Sequence, residues 1–249
     1  MIQLNNISKT FNTGKLNEVK ALDNINMTIL PKDFVVIIGA NGSGKSTLMN
    51  IISGAERPSS GTICINKEDV TTITEYKRSN LISRVFQNPL SGTAPNLSIL
   101  ENFRLAAIRT QAKTLKVGMD DAFRKIVKER VATLDMGLED KITQPMGTLS
   151  GGQRQALTLL MSVMDKTQVL LLDEPTAALD PKTANIIMQT AEKLIHQFNL
   201  TAIFITHNLK DAKQYGNRLI RLEEGTIVND LNAEEKMKIS TSELLDWFV

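Results

Sequence analysis

The sequence predicts an α/β protein with a mainly parallel sheet and an inserted α-helical subdomain. Three observations carry that expectation. The run Phe34 to Ile38 (Phe-Val-Val-Ile-Ile) is apolar at every position, as expected of a strand buried on both faces. Strand-like and helix-like patterns alternate there and again after residue 165. Between about residue 95 and residue 165 the texture is helical instead.

The elements follow in order. Ile2, Leu4 and Ile7, then Leu22, Ile25, Met27 and Ile29, are spaced as strands, the second stopped by Pro31. Phe34 to Ile38 runs through Gly39 to Thr47 into Leu48, Ile51 and Ile52 at helical spacing, with Gly54 placed as a C′ residue. Gly61 to Asn66 and Leu81 to Phe86 read as further strands. Ser98-Ile99-Leu100-Glu101 is a capping box, and Asp120 or Asp121 can cap a helix carrying Phe123, Ile126, Val127 and Val131. A third helix follows Ser150. Val169 to Leu172 and Thr201 to Thr206 are strands, and Asp180-Pro181 opens a helix reaching about Phe198. Arg218 to Leu222 and Thr226 to Val228 form a terminal hairpin, and Ser242 to Phe248 a short amphipathic helix.

The 249 residues include 42% hydrophobic and 22% charged side chains, the profile of a folded domain. Lys and Arg total 29 against 27 Asp and Glu, a net charge of +2, so no general electrostatic attraction to nucleic acid is expected. Cys64 is the one cysteine, which excludes an intrachain disulfide and a cysteine-based zinc site and suits a reducing cytosol. The longest clean apolar run, Phe34 to Ala40, falls far short of the about 20 residues a membrane span needs. Met1 to Thr10 lacks a signal-peptide core, so the chain is expected in the cytosol, reaching a membrane only through a partner.

Gly39-Ala40-Asn41-Gly42-Ser43-Gly44-Lys45-Ser46-Thr47 fits G-x-x-x-x-G-K-[ST] between a strand and a helix. Glycines at these positions let the backbone wrap a phosphate with its N–H groups inward, and the helix N-terminus faces the same charge. Lys45 can reach the β- and γ-phosphates, and the Ser46 hydroxyl can ligate Mg²⁺. Val169 to Glu174 is a buried strand ending in two carboxylates, at the end of a parallel sheet where ligands bind. Asp173 is placed to hold Mg²⁺, and Glu174 to orient or deprotonate an attacking water.

Leu149-Ser150-Gly151-Gly152-Gln153 then stands before a helix, distinct from the phosphate loop. With it the chain resembles the ATP-binding cassette (ABC) ATPases over essentially its whole length. Phe11, the phosphate loop, Gln87 after a strand, the Leu149–Gln153 signature, Val169 to Glu174, Ala178-Leu179-Asp180 and His207 occur in that family's order. The resemblance implies a P-loop NTPase fold with an N-terminal antiparallel β portion. It implies one nucleotide-binding domain: residues 1–88 and 166–249 as a RecA-like core with the β portion, and 89–165 as the helical subdomain.

The resemblance also implies roles. Phe11 stacks on adenine, and Gly39, Asn41, Gly42, Ser43, Gly44, Lys45, Ser46 and Thr47 bind the ATP phosphates. Ser46, Gln87 and Asp173 serve Mg²⁺. Glu174 is the catalytic base, Gln87 approaches the water, and His207 contacts the γ-phosphate. Ser150, Gly151, Gly152 and Gln153 act in trans, on ATP held by a second copy in an ATP-dependent homodimer, with Asp180 at the dimer interface. ATP hydrolysis then drives separate integral-membrane permease subunits, which meet the stretch Asn88 to Leu97 and the next helix. An extracytoplasmic solute-binding protein is expected in the same system, and the chain lies at the inner face of the cell membrane.

Where many family members read Arg-Val-Ala-Ile-Ala-Arg-Ala-Leu, this chain has Gln155 to Met161, richer in Leu and Met, which reads as core packing. His196, mid-helix, reads as structural or exposed. Gln153 to Met161 with Ala177 to Asp180 resembles ATPases paired with branched-chain-amino-acid-like permeases, and separate subunits, common in importers of that family, favour import of a small solute such as an amino acid. The N-terminal loop from Phe11 to Leu22 resembles the lipoprotein-release or efflux group instead. A soluble ABC protein for DNA repair would need a long coiled coil between the motifs, and no sustained heptads occur there.

Overall fold

The computed structural model describes residues 1–110 and 118–247. Its strands are β1 (Ile2–Phe11), β2 (Val19–Ile29), β3 (Phe34–Ile38), β4 (Ser60–Ile65), β5 (Glu68–Asp69), β6 (Ile82–Val85), β7 (Val169–Asp173), β8 (Thr201–Ile205), β9 (Arg218–Glu223) and β10 (Thr226–Leu231). Its helices are α1 (Lys45–Ser53), α2 (Glu75–Arg78), α3 (Ile99–Ala107), α4 (Asp121–Ala132), α5 (Gly151–Ser162), α6 (Pro181–Gln197), α7 (Leu209–Gln214), α8 (Ala233–Lys238) and α9 (Thr241–Asp246). The chain forms two compact units, Met1–Ile82 with Leu200–Val249, and Ser83–Asn199.

The first unit holds an antiparallel sheet in the order β2-β1-β4-β5, the N-terminal β portion. Alternation in β1 buries Ile2 and Leu4, and a register irregularity between Leu4 and Ile7 brings Ile7 inward as well. The same unit also holds β3, β8, β9 and β10. There β3 lies between β8 and β9 and runs parallel to both, with Val36 opposite Phe204 on one side and Leu219 on the other. All five β3 residues and all five β8 residues are buried, which is why β3 is apolar throughout and β8 is apolar after Thr201. β10 returns antiparallel on β9 as the expected hairpin.

α1 follows β3 and buries Leu48, Met49, Ile51 and Ile52. It ends at Gly54 (φ 87°), whose N–H donates to the Asn50 carbonyl. Buried Arg78, the last residue of α2, completes that terminus. Its guanidinium donates to the carbonyls of Ile51 (2.7 Å) and Ile52 (2.9 Å), and also to Val70, Thr71 and Ile73. A cation among the last carbonyls of a helix suits the helix dipole.

In the second unit β6 and β7 are neighbouring strands. The capping box on α3 is present, with Ser98 Oγ accepting from Glu101 N and Glu101 returning to Ser98 N. Asp120, not Asp121, caps α4. Val127 and Val131 of α4 are buried, but Ile126 is exposed and Phe123 is half-buried against Arg104. α6 starts on the Asp180 cap with proline in its first turn. His196 is exposed, and the run Arg154 to Ser162 is buried, as core packing requires. The terminal helix α9 is capped by Ser240; Phe248, expected in it, lies outside the described residues. Sequence patterning missed β5, α2, α7 and α8, which have two to six residues and too little periodicity to detect. Among the described residues no helix is long and apolar enough to cross a membrane.

Candidate functional site

In the first unit the phosphate loop bends through Gly39 (φ 151°), Gly42 (φ 84°) and Gly44 (φ 100°). Two of these glycines are required for space as well as for φ. A Cβ on Gly39 would lie 2.1 Å from the Leu222 carbonyl oxygen, and one on Gly44 2.5 Å from that of Ala21. β9 and β2 therefore press on the loop from outside. Gly44 is the N-cap of α1, so the N–H groups of Lys45, Ser46 and Thr47 lie in the first turn of the helix, the end of a helix that suits an anion. The Lys45 ammonium is buried and folded back, donating to the carbonyls of Gly39 and Ala40, each at 2.8 Å. Asn41, Gly42 and Ser46 are exposed, Thr47 is half-buried and Ser43 is buried.

Phe11 ends β1 half-buried, with the Lys9 ammonium 4.7 Å from its ring centroid. The cation covers one face of the ring that the sequence assigns to adenine. His207 stands exposed just past β8. The chain turns there because Thr206 Oγ1 accepts from Asn208 N, and Asn208 then caps α7. Burial pushes the nearby Asp211 carboxyl up, while the charges of Lys210 and His207 oppose that.

In the second unit β7 is buried until Asp173, then delivers Asp173 and Glu174 at its carboxyl end. Arg84, at the third position of β6, meets Asp173 at 2.5 Å and lies over the Phe86 ring, 4.8 Å from its centroid. The chain turns sharply at Glu174, whose φ of 44° is in the left-handed region. The Gln87 side-chain amide donates to Glu174 Oε2 at 3.3 Å. The structure thus brings together Gln87 and Glu174, which lie far apart in sequence.

The signature residues open α5. Ser150 Oγ accepts from Gln153 N, and Gln153 Oε1 accepts from Ser150 N. Ser-x-x-Gln is a capping box that the sequence already spelled. The two glycines do different things. Gly151 is exposed, whereas a Cβ on Gly152 would lie 2.3 Å from Thr183 Cγ2 on α6. Gly152 therefore lets α5 and α6 pack closely. Asp180, the α6 cap, accepts from Lys182 N and Thr183 N, and its carboxyl is held below the usual range first by the Thr183 side chain and then by these backbone bonds.

Sequence reading missed two residues. Arg84 is one. The other is Gln155 on α5, which is 1% exposed and donates from Nε2 to the carbonyls of Phe86 (2.9 Å) and Pro175 (3.0 Å). An alternating strand position that carries a cation near a carboxylate pair could have flagged Arg84; no local signal marks Gln155.

A cavity of about 400 Å³ in this unit is lined by Arg84, Gly92, Thr93, Ala94, Leu105 and Arg109, among others. Buried Asn102 of α3 pins one wall, accepting from Ala94 N and donating to the carbonyls of Ala94, Leu97 and Ser98. Arg109 donates to the Ser83 and Thr167 hydroxyls, and burial pushes its guanidinium pKa down against the charge of Asp165.

Comparison with known proteins bears on this geometry. The ABC transporter family matches residues 22–177. A tyrosine transport ATP-binding protein of Clostridioides difficile (strain R20291) is 41% identical over 250 residues, spanning 100% of this chain and 98% of the relative. A probable ABC transporter ATP-binding protein, PEB1C, of Campylobacter jejuni subsp. jejuni (serotype O:23/36, strain 81-176) is 34% identical, over 92% of this chain and 90% of the relative. The dimeric post-hydrolysis structure of the ATP-binding cassette MJ0796, bound to ADP and Pi, superposes with a TM-score of 0.80 at 31% identity. It covers 94% of this chain and 99% of that one.

Proposed function

Because the chain belongs to the ABC transporter ATPases, and so is an ATP-binding, ATP-hydrolysing protein with the P-loop NTPase fold, we propose that it powers import of a small solute such as an amino acid. The observation that carries the hydrolytic part is the Gln87 amide on the Glu174 carboxylate at the end of β7. The transport name of the tyrosine relative, similar over the full length of this chain, supports the amino-acid part.

In this reading Gly39, Asn41, Gly42, Ser43, Gly44 and Thr47 hold the phosphates through the loop and the first turn of α1. Phe11 stacks on adenine with its remaining face. Lys45 exchanges the Gly39 and Ala40 carbonyls for phosphate oxygens, trading neutral acceptors for charged ones. Glu174 takes a proton from the attacking water, which Gln87 orients, and His207 contacts the γ-phosphate.

The Ser46 hydroxyl, the Gln87 amide oxygen and the Asp173 carboxylate are hard oxygen donors, the set that fits Mg²⁺. Among the described residues no cluster of three or more His, Cys, Asp or Glu forms a metal cage, and Mg²⁺ is commonly held by one or two carboxylates plus substrate phosphates. When bound, the ion neutralises charge that develops on the phosphates.

Two copies then dimerise head to tail, as the MJ0796 cassette is dimeric. Ser150, Gly151, Gly152 and Gln153 of each copy close on the ATP of the other, with Asp180 at the interface. Residues 89–165 act as the helical subdomain within a single nucleotide-binding domain. Integral-membrane permease subunits dock at the cavity walled by Gly92, Thr93, Ala94 and Leu105, holding the protein at the inner membrane face. A solute-binding protein outside the cell completes the system.

Glu174→Gln tests the reading. It should bind ATP, hydrolyse it at least about 100-fold more slowly, and dimerise with ATP but not with ADP by light scattering. Wild-type turnover in this variant would remove Glu174 as the base. A variant that binds ATP yet stays monomeric at high concentration would remove the shared-site dimer.

A further inference from the structure

Gln155 lies inside α5, two residues beyond the signature, and is 1% exposed. A buried primary amide must place its polar atoms on partners or leave its desolvation uncompensated. Both partners of its Nε2 are backbone carbonyls, and both sit beside residues of the hydrolytic pair. Phe86 precedes Gln87, and Pro175 follows Glu174. One NH₂ group has two N–H bonds, so it can serve both carbonyls at once.

The backbone it grips needs holding. A left-handed φ is disfavoured for a residue that carries a Cβ, and Glu174 has a φ of 44°. Glu174 keeps that conformation because the chain that follows it is tied down. The Glu174 carbonyl accepts from Ala177 N at 3.1 Å, and the Pro175 carbonyl is taken by Gln155. On the facing segment, the Phe86 carbonyl fixes where Gln87 leaves β6. The 3.3 Å contact between Gln87 and Glu174 thus lies between two backbone carbonyls that Gln155 holds.

We propose that Gln155 is a positioning residue for ATP hydrolysis: its carboxamide sets the register of Gln87 against Glu174 and makes that register follow α5. Because Ser150 to Gln153 begin the same helix, a shift of α5 when the signature engages phosphate moves the Phe86 and Pro175 carbonyls together. The inference rests on the reading of Glu174 as the base.

The test uses the full chain carrying Gln155→Met, which keeps length and volume but removes both donors. The expected result is a fall in kcat of about 10–100-fold, the scale of a small misplacement of reacting groups. KM and ATP affinity should stay within about twofold, because the phosphate loop is untouched. In a Glu174→Gln background the same substitution should add no further loss of turnover and should leave ATP-dependent dimerisation in place. Gln155→Asn, which keeps the amide but shortens its reach, should fall in kcat alone as well, and it replaces the methionine variant if that one does not fold. Wild-type kcat in a folded Gln155 variant overturns the proposal. So do equal losses of kcat and ATP affinity that track a lowered Tm, since these describe a packing role. If Glu174→Gln itself turns over at the wild-type rate, the base assignment fails first, and the two failures are told apart.

Discussion

Nη2 of Arg84 donates to Oδ2 of Asp173 at 2.5 Å, with side-chain exposures of only 12% and 14%. Arg84 comes from β6 and Asp173 from the end of β7, so neighbouring strands place a cation on the carboxylate assigned to Mg²⁺. A metal-ligating carboxylate is usually held by an outer hydrogen bond that sets its orientation. Removing one partner of a mostly buried pair leaves the other charge uncompensated. Arg84→Ala should therefore lower the unfolding free energy by roughly 2–4 kcal/mol in urea titrations. Adding Asp173→Ala should recover part of that loss. Strict additivity of the two changes would show that the pair is not coupled.

The phosphate-loop glycines are not equivalent. Gly39→Ala drives a methyl into the Leu222 carbonyl, whereas the same change at Gly42 meets nothing within 4 Å. Gly42→Ala should cost only the left-handed strain of about 1–2 kcal/mol. Gly39→Ala should cost clearly more and displace the loop from β9. Thermal unfolding of both variants checks this, and an equal Tm shift would mean that the close approach to Leu222 relaxes freely.

Lys236 supplies a pH dependence. It is buried on α8, and its amine donates to the carbonyls of Tyr215 and Gly216 beyond α7. Burial pushes its pKa down from 10.5 to about 8. Between those values the unfolded chain binds more protons than the folded one, so stability rises with pH there and is flat below about 8. The slope from this group approaches about 1.4 kcal/mol per pH unit. Lys236→Met should remove that component, measured as the difference between the two proteins' urea midpoints from pH 7 to 10. A difference that does not change with pH would show Lys236 charged throughout.

Leu90 tests the docking surface. It is 52% exposed, so Leu90→Asp should leave folding within about 0.5 kcal/mol of wild type. It should nevertheless abolish co-purification with the permease subunits. Retained assembly and transport would place the contact elsewhere.

Much of the molecule was determined by sequence alone, wherever the interactions are local. A five-residue apolar run rich in β-branched side chains and bounded by Pro31 and Gly39 reads as a strand covered on both sides, and β3 is one. Ser98 and Glu101, and Asp180 with Pro181, start helices through bonds that span two or three residues, so their types and spacing suffice. The same holds for the phosphate loop, whose anion cradle is made by consecutive backbone groups. The tertiary structure alone decided which distant groups meet. Nothing near Gln155 announces that its amide will find the Phe86 and Pro175 carbonyls, and nothing near Arg84 announces Asp173. Gly39 and Gly152 belong to motifs, yet their need for space comes from Leu222 and Thr183 across the fold. A buried polar group takes whatever partner the packed neighbours present, and that partner is set by topology, which no local pattern encodes.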